Sequence, residues 1–381
     1  MSNNTPSVVL QVLPALDGGG VERGTLEIAA ALVAAGRGAL VASAGGRLVA
    51  PLEALGARHI PLPLATKSPL AIWRNAAALE ALIRREHVTL VHARSRAPAW
   101  SAWLAARRAG VPFITTYHAA YNEKPRLKRA YNAIMARGEI VIAISHFVAG
   151  LIVARHAIPP ARIRVIPRGV DPTLFDPAGI DPVRAAALAA SWSLPPGAPV
   201  LLLPGRLTRW KGQEILIAAL ARMRHRDAVA VLLGGDQGRA RYVAALHEQA
   251  RHLGVADRLR LVGHSDDVPT ALSLATLVVC PSLEPEGFGR TVIEGQAMAR
   301  PVVVSDHGGA AETVESGRTG WRIPPGDATA LAQTLDAVLD LPVDDRARLG
   351  AAARASVLAH YTTAQLQAAT LAAYDELDAP R

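Results

Sequence analysis

Short apolar runs rich in Val, Ile and Leu alternate with longer Ala-rich stretches of helical period along almost the whole chain. That alternation is the pattern of a parallel sheet covered by helices, and it places the chain in the α/β class. Strands are expected at VVLQVL (8–13), GALVAS, VTLVHA, PFITTYH and IVIAIS, with RIRVIP (162–167) as the last of the set. Leu26, Ile28, Ala29, Leu32 and Val33 mark the inner face of the first helix. The stretch from Pro167 to Pro199 is dense in Pro and Gly, apart from VRAAALAASW, which can form a helix, and is read as an interdomain connection. The strand series then begins again at VLLLPG (200–205), followed by a helix near 212–223, AVAVLLGG, RLRLVG, LVVCPS and PVVVSD. An Ala-rich helix pair and a final helix near 362–378 close the chain. Two doubly wound domains are expected, residues 1–178 and 179–361, which suits 381 residues at about 150 per domain.

Half of the residues are apolar and 19% are charged, so each domain can bury its own core and global disorder is excluded. The single cysteine, Cys280, permits neither an intrachain disulfide nor a cysteine-based zinc site, and a reducing compartment fits best. The start, MSNNTPSVVLQVLP, has no positively charged n-region and too short an apolar run for a signal peptide, so a cytoplasmic protein is expected. Net charge is +9, but residues 1–178 hold 21 Lys/Arg against 10 Asp/Glu, leaving 20 against 22 in the rest. The first half therefore meets something anionic, a nucleic acid or an acidic membrane surface.

Four segments carry candidate chemistry. DGGGVER (17–23) follows the first strand and leads into a helix, so backbone N–H groups at Gly19 and Gly20 could cradle a phosphate, or the glycines could simply make a tight turn. The segment is not GxGxxG and no Walker lysine follows, which weakens classical dinucleotide and P-loop readings. PGRLTRWKG (204–212) sets Arg206 and Lys211 five residues apart after a strand, two cations suited to a diphosphate, with Arg209 better explained as a solvated charge. In EPEGFGRTVIEGQAMARPVVVSDHGG (284–309), Glu286 and Glu294 would lie about 80° apart on one helix. A loop position for Glu286, N–H groups from Gly287 to Arg290 at a helix start, and Glu294 a turn inside make better sense. Alternatively Glu286 is a first-turn acid and Glu294 a surface residue. His118, in PFITTYHAAY, ends a strand; His92, His146 and His264 are weaker candidates, and none forms a close metal-ligand cluster.

Taken in order, DGGGVER, TYH, GRLTRWKG, LLGGDQG and EGFGRTVIE resemble the family-four retaining glycosyltransferases of the GT-B fold, from Val8 to about Tyr374. The seven residues between Glu286 and Glu294 are the spacing of that family's acidic pair. The resemblance implies two Rossmann-like domains facing each other across a deep cleft, the first binding the acceptor and the second the nucleotide-sugar, with the final helix (362–381) crossing back to the first. It implies that Arg206 and Lys211 hold the donor diphosphate, Glu286 the sugar hydroxyls and Glu294 the nucleotide ribose. Gly19 and Gly20 would close over the phosphate, Gly205, Gly235, His264, Gly287, Phe288, Gly289 and Arg290 would line the donor site, and His118 would contact the donor sugar. The implied co-substrate is a nucleoside-diphosphate sugar, with no other cofactor and no metal. Two departures stand out: Arg168 occupies the place where similar enzymes often show Asn, in Pro167–Asp171, and Trp210 precedes Lys211 where a small or acidic residue is more usual.

The excess charge of the first half concentrates partly in 121–138, where Lys124, Arg126, Lys128, Arg129 and Arg137 accompany Tyr121, Leu127, Tyr131, Ile134 and Met135. That segment could dock an anionic membrane surface or be an ordinary solvated helix. Arg94 and Arg96, beside Trp100, could bind a phosphorylated or carboxylated acceptor. A lipid-linked or lipopolysaccharide-core acceptor at the inner leaflet would account for both features. A nucleic-acid-binding protein is disfavoured, since aromatic content is 4% and no helix-turn-helix or RNP signature is evident. A sugar-nucleotide epimerase or phosphorylase on the same fold is the nearer rival.

Overall fold

The computed structural model describes residues 7–121 and 126–378. They fall into two compact units, Met1–Arg168 with Thr363–Arg381, and Gly169–Thr362.

The first unit holds seven strands, β1 (Val8–Val12), β2 (Gly38–Ser43), β3 (Arg58–Pro61), β4 (Leu90–Ala93), β5 (Phe113–Tyr117), β6 (Ile140–Ala143) and β7 (Ile163–Val165). All are parallel, in the order β3-β2-β1-β4-β5-β6-β7. The inner strands are buried because helices cover both faces, which is why they read as largely apolar Val/Ile/Leu runs, with Gln11 and His92 as buried polar exceptions. β3 went unseen in the sequence: RHIP is a half-exposed edge strand, and its Arg and Pro suit an edge that must not recruit another chain. The helix Gly20–Ala34 buries Ile28, Ala29 and Leu32, while Leu26 and Val33 lie at the margin of the same core.

The final helix, Thr363–Asp378, belongs to this first unit. Gln367 donates from Nε2 to the Glu27 carbonyl at 2.7 Å, and Tyr374 is completely buried. The Tyr374 hydroxyl meets His92 Nδ1 at 2.6 Å, and Thr116 Oγ1 meets His92 Nε2 at 2.7 Å. His92 is thus a core bracket between β4, β5 and the last helix. Burial, then Arg94 and Arg168, hold its pKa well below the usual histidine value.

The second unit holds β8 (Val200–Pro204), β9 (Val229–Leu233), β10 (Leu259–Gly263), β11 (Leu277–Cys280), β12 (Val302–Ser305) and β13 (Trp321–Ile323). They too are parallel, in the order β10-β9-β8-β11-β12-β13. β13 is another short edge strand that the sequence pattern did not reveal. The units part at Arg168/Gly169, ten residues before the boundary expected from composition. The Pro/Gly-rich segment after Gly169 is not a free linker. Phe175 is buried, its carbonyl accepts from Arg354 Nη1 at 2.7 Å, and Asp176 pairs with Arg354 Nη2 at 3.0 Å. VRAAALAASW forms the helix Pro182–Ser191, capped by Asp181. Among the described residues no helix is long and apolar enough to cross a membrane.

Candidate active site

In a doubly wound sheet, ligands bind beyond the carboxyl ends of the strands where the strand order reverses. In the second unit that point lies between β8 and β11. The loop after β8 carries Arg206 and Lys211, and the loop after β11 carries Ser282 and Glu286. The two loops touch because Gly212 allows it: its φ is +75°, and a Cβ there would lie 2.0 Å from the Pro281 carbonyl oxygen. Lys211 Nζ donates to Glu286 Oε1 at 2.8 Å, with both side chains about nine-tenths buried. Ser282 Oγ donates to the same oxygen at 2.6 Å.

The Glu286 backbone is fixed as well. Gly309 N donates to its carbonyl at 2.8 Å, and His307 Nε2 donates to the Ser282 carbonyl at 2.9 Å. Burial works to raise the pKa of Glu286. The charge and hydrogen bond of Lys211, the Ser282 hydroxyl and His307 outweigh it and hold the carboxyl below its usual range. Ser282 and His307 were not recognised in the sequence, although HGG directly after the strand PVVVSD was available as a strand-to-helix signal. Trp210, one of the departures, faces Lys211 with its ring, 4.6 Å from Nζ to centroid, a cation–π contact that leaves the ammonium in place beside Glu286.

Arg206 is exposed, and Arg209 pairs with Glu214 at 2.9 Å, as a solvated charge would. Glu294 sits in the second turn of the helix Arg290–Ala297, 7% exposed, with Arg290 Nε 3.4 Å from its Oε1. The two acids therefore do not share a helix. Gly289 caps that helix at φ +87°, and Phe288 is buried against Tyr361. Gly287 is half-buried directly after Glu286. Gly205 lies over the Lys211 side chain, and the Gly235 carbonyl accepts from Leu207 N at 3.1 Å. His264, just past β10, is exposed and bonded to Asp266. Cys280 is buried beside Glu286, and burial first, then that carboxylate, pushes its thiol up to about 12, so it is no nucleophile at neutral pH.

The first unit has its own reversal, between β1 and β4. Gly19 caps the helix Gly20–Ala34, and both Gly19 and Gly20 are exposed. Behind them lie two buried arginines, Arg94 after β4 at 2% exposure and Arg168 at 5%. Both press on Gly24, where a Cβ would lie 2.4 Å from Arg168 Nη1 and 2.9 Å from Arg94 Nη2. Arg168 Nη2 donates to Nδ1 of His118, which follows β5, at 2.5 Å. Burial, then Arg168, Arg94 and His92, outweigh the Arg94 carbonyl and hold the His118 pKa well below its usual value. Arg94 and Arg96 have different surroundings. Arg96 lies 4.1 Å over the Tyr121 ring and donates to Asn132 Oδ1 at 2.9 Å, because two residues further along the chain the strand end has given way to a helix. Among the described residues no three His, Cys, Asp or Glu side chains group as metal ligands.

Lys124 and the Arg126 side chain lie outside the described residues. Lys128 and Arg129 are exposed, as is Leu127, but Ile134 and Met135 are fully buried, so the apolar half of that segment belongs to the core. A broader basic face is built elsewhere. Residues 62–120 hold 8 Lys/Arg against 2 Asp/Glu. On the helix Pro69–Arg85, Leu70 and Trp73 are 60% and 58% exposed, with Arg108 5.3 Å from the Trp73 ring. Arg107 and Arg137 flank Trp103 at 5.1 and 4.5 Å.

Comparison with known proteins agrees in both units. Residues 18–174 match the model for Glycosyltransferase Family 4, and residues 186–356 that for Glycosyl transferases group 1. The D-inositol 3-phosphate glycosyltransferase of Salinispora tropica is 31% identical over 312 residues, 74% of this chain and 64% of that protein. The match thus spans slightly less than two thirds of that relative. A crystal structure of a glycosyltransferase from Rickettsia africae ESF-5 is 35% identical and superposes with a TM-score of 0.92, covering 99% of this chain and 100% of that one. Anabaena HepE, solved with UDP and glucose, shares the fold at 24% identity and a TM-score of 0.85, over 97% and 100% of the two chains. Since the family models cover the two units in turn and the Rickettsia enzyme aligns from end to end, the chain belongs to glycosyltransferase family 4 and has the GT-B fold.

Proposed function

We propose that the protein transfers a sugar from a nucleoside-diphosphate sugar to a hydroxyl of a lipid-linked or other glycan acceptor, with retention at the anomeric carbon and without a metal. The observation that carries this reading is the Lys211–Glu286–Ser282 cluster at the reversal point of the second sheet. A departing diphosphate accumulates negative charge, and a preset ammonium with Arg206 nearby in the same loop stabilises that charge in the manner of an oxyanion hole. Glu286, ionised and fixed, accepts hydrogen bonds from sugar hydroxyls, and Glu294 those of the ribose. The N–H groups at Gly19 and Gly20 serve the phosphate, and His118 the donor sugar. Retention follows from same-face attack: the C–O bond to the diphosphate breaks, the acceptor oxygen bonds to the oxocarbenium-like carbon, and its proton passes to a diphosphate oxygen. HepE was solved with UDP and glucose, and the Salinispora relative is named for a phosphorylated inositol, which makes a uridine donor and an anionic acceptor the first pair to try.

A panel of nucleotides and nucleotide-sugars is expected to raise the melting temperature with one base preferred. A ligand at 100 times its Kd adds about 2.7 kcal/mol, and Lys211→Ala should abolish the shift. No shift with any nucleoside diphosphate would remove the donor site from consideration.

Peripheral docking on an acidic membrane is part of the same proposal, supported by the basic face with Leu70, Trp73 and Trp103. Vesicles containing anionic lipid should co-sediment the protein at low salt. At about 1 kcal/mol per basic residue near the surface, Arg107→Ala with Arg108→Ala should weaken binding about 30-fold. Equal binding to purely zwitterionic vesicles would sink the electrostatic reading.

A further inference from the structure

We infer that Arg168 is a positioning residue that locks His118 into one tautomer, so that His118 Nε2–H is a fixed hydrogen-bond donor toward the substrate. The inference rests on the reading that His118 acts on the donor sugar. A guanidinium only donates, so the 2.5 Å contact from Arg168 Nη2 obliges Nδ1 to accept. A neutral imidazole with an accepting Nδ1 carries its proton on Nε2. That Nε2 atom is buried and has no partner within hydrogen-bond distance among the described residues, and the Arg94 carbonyl, which also bears on the ring, favours a ring N–H.

The surroundings keep the ring neutral. Arg168 and Arg94 both bear on it and His92 lies close enough to add to their effect, while Tyr121, under the Arg96 guanidinium, takes the His118 backbone N–H at 3.4 Å. Among the described residues no carboxylate acts on the ring, and only the Arg94 carbonyl favours imidazolium. Gly24 matters here as well, because any side chain at that position would displace the Arg168 guanidinium from Nδ1. The arginine at position 168 is therefore a replacement with a chemical consequence: a cation holds the ring from behind and forbids the second proton.

Histidine-selective 15N labelling and long-range proton–nitrogen correlation test this without substrate. His118, assigned by the signal lost in His118→Gln, should show a protonated Nε2 and an unprotonated Nδ1, unchanged between about pH 5.5 and 8. Arg168→Met, which keeps length and removes the donor, should give mixed tautomers and a titrating ring. It should also lower kcat about tenfold to a hundredfold, less than the roughly 10⁴ lost when a catalytic triad's orienting carboxylate is removed, and move the acid limb of the pH–rate profile upward. Arg168→Gln, which restores a donor, should recover most of both. The His92 resonances report whether either variant has kept its fold. A proton on Nδ1 of wild-type His118, or an Arg168→Met enzyme with an unchanged tautomer and pH profile, would overturn the inference. Near wild-type turnover in His118→Gln would instead remove His118 from the reaction while leaving the tautomer measurement intact.

Discussion

Lys211→Ala is expected to lower kcat about 10²- to 10³-fold, the loss typical of removing one preorganised stabiliser of developing negative charge. The same substitution strands Glu286, whose carboxylate then keeps its burial and Ser282 but loses the ammonium. Breaking a buried pair from one side costs about 3–5 kcal/mol. The pH dependence has a definite sign. In the wild type the Glu286 pKa is depressed, so its contribution is present above the unfolded value of about 4.3 and lost as pH falls through the folded value. Without Lys211 the burial effect prevails and the folded-state pKa rises, so the variant is least handicapped where the carboxyl is protonated. The melting-temperature gap between wild type and Lys211→Ala should be widest near pH 7 and narrow toward pH 4. Adding Glu286→Gln to Lys211→Ala should recover stability at neutral pH but not turnover, which separates the structural role of the pair from the catalytic one. A pH-independent gap would show that the two side chains do not share charge in solution.

The parallel sheets were legible because a strand covered on both faces is mostly apolar; β1, β8 and β12 fall where their Val/Leu runs lie. The edge strands β3 and β13 were not, since half-exposed segments of three or four residues obey no such rule. Composition misplaced the domain boundary for a related reason: Pro and Gly mark turns, but they say nothing of whether one residue, here Phe175, is anchored by a distant arginine. In the site, the loop positions of Lys211 and Glu286 followed from their places after strands. What the sequence could not show were contacts across 75 residues from Lys211 to Glu286, or 50 from His118 to Arg168. Gly24 illustrates the limit best. As a mid-helix glycine it looks like a weak helix former, and only the structure shows two guanidinium groups occupying the room its missing side chain leaves.

Gly212→Ala is expected to damage the enzyme nearly as severely as removing Lys211, although it touches no charged group. Two costs combine. The backbone is left-handed at φ +75°, which disfavours any L side chain by about 1–2 kcal/mol. The new methyl would also lie 2.0 Å from the Pro281 carbonyl oxygen, and backbone cannot rotate away as a side chain could. The loops after β8 and β11 must then separate, and they are the loops that bring Lys211 to Glu286. Destabilisation of about 3 kcal/mol or more is expected, with loss of the Lys211-dependent nucleotide shift in whatever fraction remains folded. Gly254→Ala supplies the control: its φ is similar, +66°, but nothing lies within 4 Å of the added methyl, so it should cost only the backbone penalty. Comparing the two by denaturant unfolding isolates the steric part. If both variants lose the same stability, the close approach at Pro281 is relaxed in solution, and the Lys211–Glu286 pair must be held together by its own attraction rather than by the fold.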